Sequence, residues 1–181
     1  MGLSKIQAES MNLADTYAFT GSVSGAGGGI FESQLLHVRD EKPFDTPGGA
    51  SSGSTQTRTI NTVVTNEITG ASLSSNQITL PSGTYFIIAS APCMKTDRNR
   101  IILYNTTDSS NEIVGHSEFN NDADDVSIRS WLYERFTISA QKVFEIRHFI
   151  QRSKAENGLG ANVSTSGDIE IYTDVKIWKV A

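Results

Sequence analysis

The string Gly49-Ala50-Ser51-Ser52-Gly53 has the G-x-S-x-G spacing of a nucleophile elbow, the one catalytic motif that the sequence matches. An elbow needs a buried strand before the serine and a helix after it, because the strained turn between them holds the hydroxyl towards a base. Here a proline-containing loop precedes Ser51, and the strand-like run "TQTRTINTVV" follows. Short motifs match Gly/Ser-rich sequence by chance. We therefore interpret the segment as a loop and predict a protein that is not an enzyme.

The three histidines, His37, His116 and His148, do not have the spacing of a metal site. They are far apart, form no H-x-x-x-H pair and have no cysteine at ligand spacing. His37 and His148 lie in strand-like runs, where a histidine that is simply hydrogen-bonded is the expected state. Cys93 follows an apolar run, and a buried thiol there is expected to be inert.

Two charged segments are candidate ion sites. Asp122, Asp124 and Asp125 offer the hard oxygen ligands that Ca²⁺ prefers, but they lack the glycine and distal glutamate of a calcium-binding loop. Arg98 and Arg100 could bind an anion or pair across a subunit boundary. Charged side chains in loops are usually solvated, so we expect solvated turns at both places. The sequence predicts no metal and no cofactor.

One aromatic pattern indicates an interface with another protein chain. In the run 126–138, Trp131 and Tyr133 alternate with core-type residues and lie beside Arg129 and Arg135. Aromatic residues together with arginine are typical of the centres of protein interfaces. We predict a subunit interface at these four residues. Two half-buried aromatic residues beneath a loop would give the same pattern.

The elements that position these residues are predicted to be strands. The run "ITLPSGTYFIIASAP" (78–92) contains Pro81 and Gly83, which would break a helix. Its unbroken apolar core, 85–91, is far shorter than the roughly 20 residues that a membrane-spanning helix needs. We predict two strands joined at a kink. The second strand is expected to be central, because both of its faces are largely apolar.

The other long segments show the same two-residue period and are separated by runs rich in Asn, Asp, Ser and Gly. This pattern indicates an all-β protein, an antiparallel sandwich or jelly roll of two sheets. In the last segment, four residues are predicted to share the core face: Ile169, Ile171, Val175 and Ile177.

Two Gly/Ser tracts divide the chain. The first indicates that residues 1–31 are an N-terminal arm and linker, so that the jelly-roll domain covers 32–181. The second, residues 45–56, is predicted to be a long surface loop.

Charge and cysteine content exclude several classes of partner. The 181 residues include 15 Lys and Arg against 20 Asp and Glu, a formal net charge of −5. Such a chain has no general attraction to nucleic acid or to anionic lipid, so neither partner is predicted. A single cysteine cannot form an intramolecular disulfide, which fits a reducing cytosol. The start "MGLSKIQAES" has no apolar h-region, so no secretory signal is expected.

The order of the segments resembles that of known protein families. In "TINTVVTNEITGASLSSNQITLPSGTYFIIASAP", the residues Pro81, Gly83, Tyr85 and Ile87 stand at the places of a "pGxYxFxxxA"-type strand, and "VSIRSWLYERFTISAQKVFEIRHF" follows as a hairpin. This series resembles the C1q/TNF-like jelly roll. The passages "ITLPSGTYFIIASAP" and "LYNTT", with the arm "MNLADTYAFTGSVSGAGGG", are similar to structural proteins of tailed-phage virions.

The resemblance implies a homotrimer of jelly rolls that bury aromatic strand faces around an axis. It also implies arms that attach to other virion proteins of the capsid or tail, in a virion assembled in the host cytoplasm. The chain lacks the collagen repeat and the disulfide of secreted C1q-like signalling proteins, which favours the phage relationship.

The first functional hypothesis is a non-enzymatic virion structural protein, a trimeric fibre, spike or capsid-decoration protein. The apolar arm residues predicted to dock to the particle are Met11, Leu13, Tyr17 and Phe19. The alternative is a receptor- or carbohydrate-binding module of the host-adsorption apparatus, using the loops "KTDRNR", "NNDADD" and "RSKAENGLG". A glycan hydrolase is disfavoured, because no carboxylate pair can be assigned.

Overall fold

The computed structural model describes residues 34–180, whose regular structure consists of fourteen β-strands. They are β1 Gln34–Lys42, β2 Ser51–Ser52, β3 Thr55–Thr57, β4 Thr62–Asn66, β5 Ser72–Ser74, β6 Gln77–Leu80, β7 Gly83–Met94, β8 Asp97–Asn105, β9 Ser110–Val114, β10 Glu118–Asn120, β11 Ser127–Ile138, β12 Lys142–Ile150, β13 Ser153–Lys154 and β14 Glu170–Lys179. No helix in residues 34–180 could cross a membrane. The predicted arm and its docking residues Met11, Leu13, Tyr17 and Phe19 lie outside the described residues.

Two antiparallel sheets form the body of the protein. The five-stranded sheet has the order β11-β7-β14-β1-β4. The seven-stranded sheet has the order β10-β8-β12-β6-β5, with β3 added beside β12 and β9 beside β8. The short strands β2 and β13 pair with each other. The predicted antiparallel sandwich of two sheets is confirmed.

The kinked run 78–92 links the two sheets. Strand β6 belongs to the seven-stranded sheet and β7 to the five-stranded sheet, so the chain crosses the sandwich at Pro81. The Tyr85 hydroxyl donates a hydrogen bond of 2.7 Å to the Pro81 carbonyl, which ties the crossing to the second strand. As predicted, β7 is central, lying between β11 and β14.

Three aromatic rings join the sheets inside the core. The ring centroids of Tyr85 and Phe136, on neighbouring strands of the five-stranded sheet, are 5.5 Å apart and stacked. Phe136 in turn meets Phe144 of β12 edge to face at 5.7 Å. Both geometries are favourable for aromatic pairs. Other buried apolar residues from both sheets complete this core, among them Leu36, Val38, Ile78, Leu80, Ile87, Ile101, Leu103, Leu132, Ile146, Val175 and Ile177.

The prediction for the last strand is wrong at two positions. Ile169 and Ile171 were expected on the core face, but they are 51% and 38% exposed. The pairing of β14 with β1 shifts by one residue between Arg39 and Glu41. Because the side-chain period is two, a one-residue bulge moves the following residues to the opposite face. Tyr172 therefore takes the buried position next to the bulge.

The prediction for residues 45–56 is also wrong, since the tract is not simply a surface loop. It contains β2 and the start of β3, and it packs against the segment 156–160. Gly48 N–H donates to the Gly160 carbonyl at 2.9 Å, and Gly49 N–H donates to the Glu156 carbonyl at 2.8 Å. A Cβ on Gly48 would lie 2.6 Å from the Leu159 carbonyl oxygen, so this close approach requires glycine.

Candidate functional site

Ser51, the serine of the G-x-S-x-G string, is bonded to backbone. Its hydroxyl donates to the Arg152 carbonyl at 2.9 Å and accepts from the Lys154 N–H at 2.8 Å. The residue is 5% exposed and lies in β2 rather than in a strand-to-helix turn. The hydroxyl therefore supports the pairing of β2 with β13 and is not placed as a nucleophile.

The three histidines lie in separate environments. His37 Nε2 is 2.6 Å from the Asp174 carboxylate on the outer face of the five-stranded sheet. His116 meets Tyr133 edge to face, with ring centroids 4.9 Å apart. His148 is buried. Within residues 34–180, no three His, Cys, Asp or Glu side chains are grouped so that they could hold a metal ion.

His148 is held neutral by its surroundings. Its Nε2 is 3.2 Å from the Asn99 side-chain oxygen, and its Nδ1 has no hydrogen-bond partner among the described residues. Burial, with a smaller contribution from the cationic Arg58, lowers the pKa of His148 well below its ordinary value. A neutral imidazole with one unused nitrogen in the core has no route to act on a substrate.

The three loops predicted for receptor binding do meet at one end of the sandwich. Together they line an open groove of about 520 Å³. Lys95 pairs with Asp125 at 2.8 Å, and this lysine lowers the pKa of that carboxyl. The Arg152 guanidinium lies 3.1 Å from the Asp122 carboxylate and also hydrogen-bonds the Asp97 carboxylate. Asp122 and Asp125 are thus paired with cations from the two neighbouring loops, and Asp124 accepts a hydrogen bond from the Asn121 amide at 3.1 Å.

The predicted interface residues Trp131 and Tyr133 lie on the edge strand β11 of the five-stranded sheet. They are 41% and 54% exposed, and they point away from the core. Across the strand, Tyr133 lies opposite Ile88, and the next outward position of β7 is Phe86. Trp178 of β14 lies opposite Phe86 on the next strand, and the two ring centroids are 6.2 Å apart. We call these five residues the aromatic face.

The two arginines of the predicted interface differ in their contacts. Arg129 is part-buried, and its guanidinium donates to the Ser90 hydroxyl at 3.0 Å and to the carbonyls of Tyr172 and Ile171 at 2.8 and 3.1 Å. Arg135 is exposed and forms no side-chain hydrogen bond or ion pair with residues 34–180. Arg129 thus links β11 to β14 within the subunit, and Arg135 is free to contact a partner.

We compared the chain with known proteins. No family model and no curated protein matches it. Among solved structures, murine APRIL at pH 5.0 is 9% identical with a TM-score of 0.53, covering 81% of this chain and 98% of that chain. Eiger TNF from S. frugiperda is 10% identical with a TM-score of 0.52, covering 82% of this chain and 94% of that chain. The described part of this chain is a TNF-like jelly roll.

The fold predicted from the resemblance is therefore confirmed, and at 9 to 10% identity the similarity shows the fold alone. The globular domain of zebrafish complement 1qA protein is 13% identical with a TM-score of 0.47, covering 82% of this chain and 98% of that chain.

The sequence prediction missed a buried arginine inside the jelly roll. Arg58 is 1% exposed, and its guanidinium donates to the Thr173 hydroxyl, the Pro92 carbonyl and the Leu159 carbonyl. Burial lowers the pKa of Arg58 to about 10, and the nearby Asp40 opposes that shift. In "TQTRTINTVV", Arg58 is two residues before a core isoleucine, and this spacing could have placed it on the core face.

Proposed function

We propose that the chain is a non-enzymatic structural component of a phage virion, a homotrimer of TNF-like jelly rolls anchored through its N-terminal arm. The observation that carries the trimer is the aromatic face. Its residues Trp131 and Tyr133 are large, exposed and next to the partly exposed Ile88 and Phe86. A contiguous apolar surface of this kind is a mark of an interaction site.

Assembly around an axis would also protect the edge of the five-stranded sheet. Strand β11 is an edge strand of twelve residues, and the His116 N–H covers its edge at the Trp131 carbonyl, at 2.7 Å. The rest of that edge is open to pairing with other chains. A closed symmetric oligomer buries the same patch on every subunit. Arg135, which has no partner within residues 34–180, would lie at the rim of such an interface and pair across it.

The absence of an enzyme role is supported by how the reactive groups are used. The Ser51 hydroxyl is bonded to backbone on both sides, the His148 ring is buried, and the Cys93 thiol is buried. Nucleophilic catalysis needs a nucleophile within hydrogen-bond reach of a base. None of these three groups has that arrangement.

The virion role rests on the sequence resemblance to tailed-phage structural proteins and on the arm that precedes the jelly roll. In this proposal, Met11, Leu13, Tyr17 and Phe19 supply apolar contacts to a capsid or tail protein. The Gly/Ser tract that follows them would act as a flexible linker between the docked segment and the jelly roll.

The trimer is tested by light scattering on the full-length protein after gel filtration. We expect a mass near three times 19.6 kDa. The double variant Trp131→Ala, Tyr133→Ala should dissociate, because buried aromatic anchors each carry about 2 kcal/mol or more of an interface. Phe119→Ala is the matched control, since it removes an exposed aromatic residue from the other sheet. A monomeric wild type, or a double variant that stays trimeric, would contradict the proposed interface.

The arm is tested separately, by deleting residues 2–30 from the protein produced during phage infection. The truncated chain should keep the oligomeric mass of the full-length protein and be missing from purified particles, as judged by immunoblot. Particles that still contain the truncated chain would rule out docking through the arm. Purified particles that lack the full-length protein would rule out the virion role.

A further inference from the structure

A cavity of about 310 Å³ lies on the outer face of the seven-stranded sheet, opposite to the sheet that carries the aromatic face. Strands β10, β8 and β12 form its floor. Phe119 of β10 pairs across with Arg98 of β8, and Phe149 of β12 pairs across with Arg100 of β8. The two phenylalanines are 60% and 38% exposed. We call this site the Phe119 cavity.

The polar groups of the Phe119 cavity differ in their contacts. Arg98 is held by the Gln151 side chain at 3.0 Å and lies 6.0 Å from the Phe119 ring centroid. Arg100, in contrast, forms no side-chain hydrogen bond or ion pair with residues 34–180. Glu118 pairs across with the buried Asn99, so its side chain lies on the opposite side of the sheet from Phe119. The cavity therefore presents a free guanidinium between two exposed aromatic rings.

This combination is chemically selective. A guanidinium is a planar fork of N–H donors that matches a carboxylate, and such charge-assisted bonds are the strong ones. The faces of Phe119 and Phe149 carry negative quadrupole charge and offer flat apolar surfaces to the C–H groups of a ring.

We propose that the Phe119 cavity binds a carboxylated sugar, such as a uronic acid unit of a glycan. The sugar carboxylate pairs with Arg100, and the C–H face of the ring packs on Phe119. A small pocket suits a single sugar unit, because this volume is at the lower limit of ligand pockets, which span about 300–1,000 Å³.

Other anionic ligands fit the cavity less well. A nucleic acid would meet a chain with a net charge of −5. An acidic peptide would supply a carboxylate but no rigid ring, and it would lose more conformational freedom on binding. The sugar proposal does not depend on the trimer, because the cavity and the aromatic face lie on opposite sheets.

The test is a titration of the full-length protein with methyl glucuronide, methyl glucoside and sodium acetate. Two-dimensional NMR monitors binding of each ligand. The first two ligands differ only in the carboxylate, and acetate carries the carboxylate without the ring. We expect millimolar binding of the glucuronide, with shifts at Phe119 and Arg100, and binding of glucoside and acetate about tenfold weaker or worse. Added salt should weaken the binding of glucuronide and of acetate, but not that of the neutral glucoside.

Variants of the cavity residues test whether glucuronide binds in the Phe119 cavity. Arg100→Ala and Phe119→Ala should each weaken glucuronide binding by about tenfold or more, and Arg100→Lys should also weaken it because the lysine lacks the fork. Arg39→Ala, which removes an arginine of β1 on the other sheet, should leave binding unchanged. Circular dichroism and thermal midpoints establish that the variants fold.

Four results would overturn the proposal: equal affinity for glucuronide and glucoside, equal affinity for glucuronide and acetate, tighter binding of a glutamate-rich peptide, or no binding of glucuronide at millimolar concentration. Unchanged glucuronide affinity in folded Arg100→Ala would also overturn it. In each case the proposed trimer would still stand, since light scattering measures it independently.

Discussion

Arg58 and Thr173 connect the two sheets of the jelly roll. The Arg58 backbone N–H is bonded to the Ile146 carbonyl in the seven-stranded sheet at 2.8 Å. Its Nε donates to the Thr173 hydroxyl in the five-stranded sheet at 3.0 Å. Thr173 lies next to the bulge that shifts β14 against β1. A cation thus spans the sandwich at the point where the regular pairing of one sheet is interrupted.

Replacing Arg58 should unfold the protein more easily than replacing any exposed arginine. Arg58→Ala leaves the hydroxyl and both carbonyls without their donor, and we expect a loss of about 3–5 kcal/mol in the free energy of unfolding. Urea denaturation measures this loss of stability. Arg100→Ala removes an exposed arginine that is not bonded to residues 34–180; it is the control and should change stability by about 0.5 kcal/mol or less. Similar losses in the two variants would mean that the buried hydrogen bonds contribute little.

Stability should fall on mild acidification because of His148. Burial lowers the pKa of folded His148 well below its ordinary value. In the unfolded chain its pKa is about 6.5, so below that pH the unfolded state binds more protons than the folded state. The free energy of unfolding should therefore decrease as pH falls from about 6.5, by up to about 1.4 kcal/mol per pH unit from this group.

The variant His148→Gln isolates that contribution. Its amide can still donate to the Asn99 oxygen, but it cannot take up a proton. Between about pH 6.5 and pH 5, the variant should lose less stability than the wild type in urea titrations. Asp40, whose pKa is raised by burial, contributes the opposite slope in both proteins. Parallel pH profiles for the two proteins would contradict the assignment to His148.

Cys93 should resist alkylation in the folded protein. The residue is fully buried, and burial raises the pKa of its thiol, so little reactive thiolate is present or accessible. Iodoacetamide should label Cys93 in urea but not in native buffer, as followed by mass spectrometry. A Ser139→Cys variant, exposed after β11, provides the reference rate for an accessible thiol. Native labelling of Cys93 at that reference rate would refute the prediction.

Calcium should not stabilise the protein. Asp122 and Asp125 are paired with Arg152 and Lys95, so a divalent cation would have to displace two cations already in place. We expect the thermal midpoint to be the same with CaCl₂ as with EDTA. Specific binding would instead raise the midpoint with increasing calcium concentration. MgCl₂ at the same concentration is the control for ionic strength.

Several features could be predicted because they depend on neighbours in the chain. The two-residue period indicated strands, and Pro81 marked the break between β6 and β7 because proline fixes φ and lacks an N–H donor. The same period put Trp131 and Tyr133 on the face opposite to Leu132, and both are exposed.

Other features depend on contacts between distant segments. The loops of Lys95, Asp122 and Arg152 meet only because three strand ends lie at the same edge of the sandwich. The exposure of Ile171 follows from a bulge in its pairing with β1, and no pattern within the last strand reveals a shift of register with another strand.

The sequence by itself determined the strands, the antiparallel class and the exposed aromatic residues, since side-chain alternation is a local property of the extended chain. The tertiary structure alone decided the bulge, the crossing of Arg58 to Thr173 and the grouping of Arg100, Phe119 and Phe149 around one cavity. Each of these joins residues on different strands, and strand order and register are set by packing of the whole sandwich.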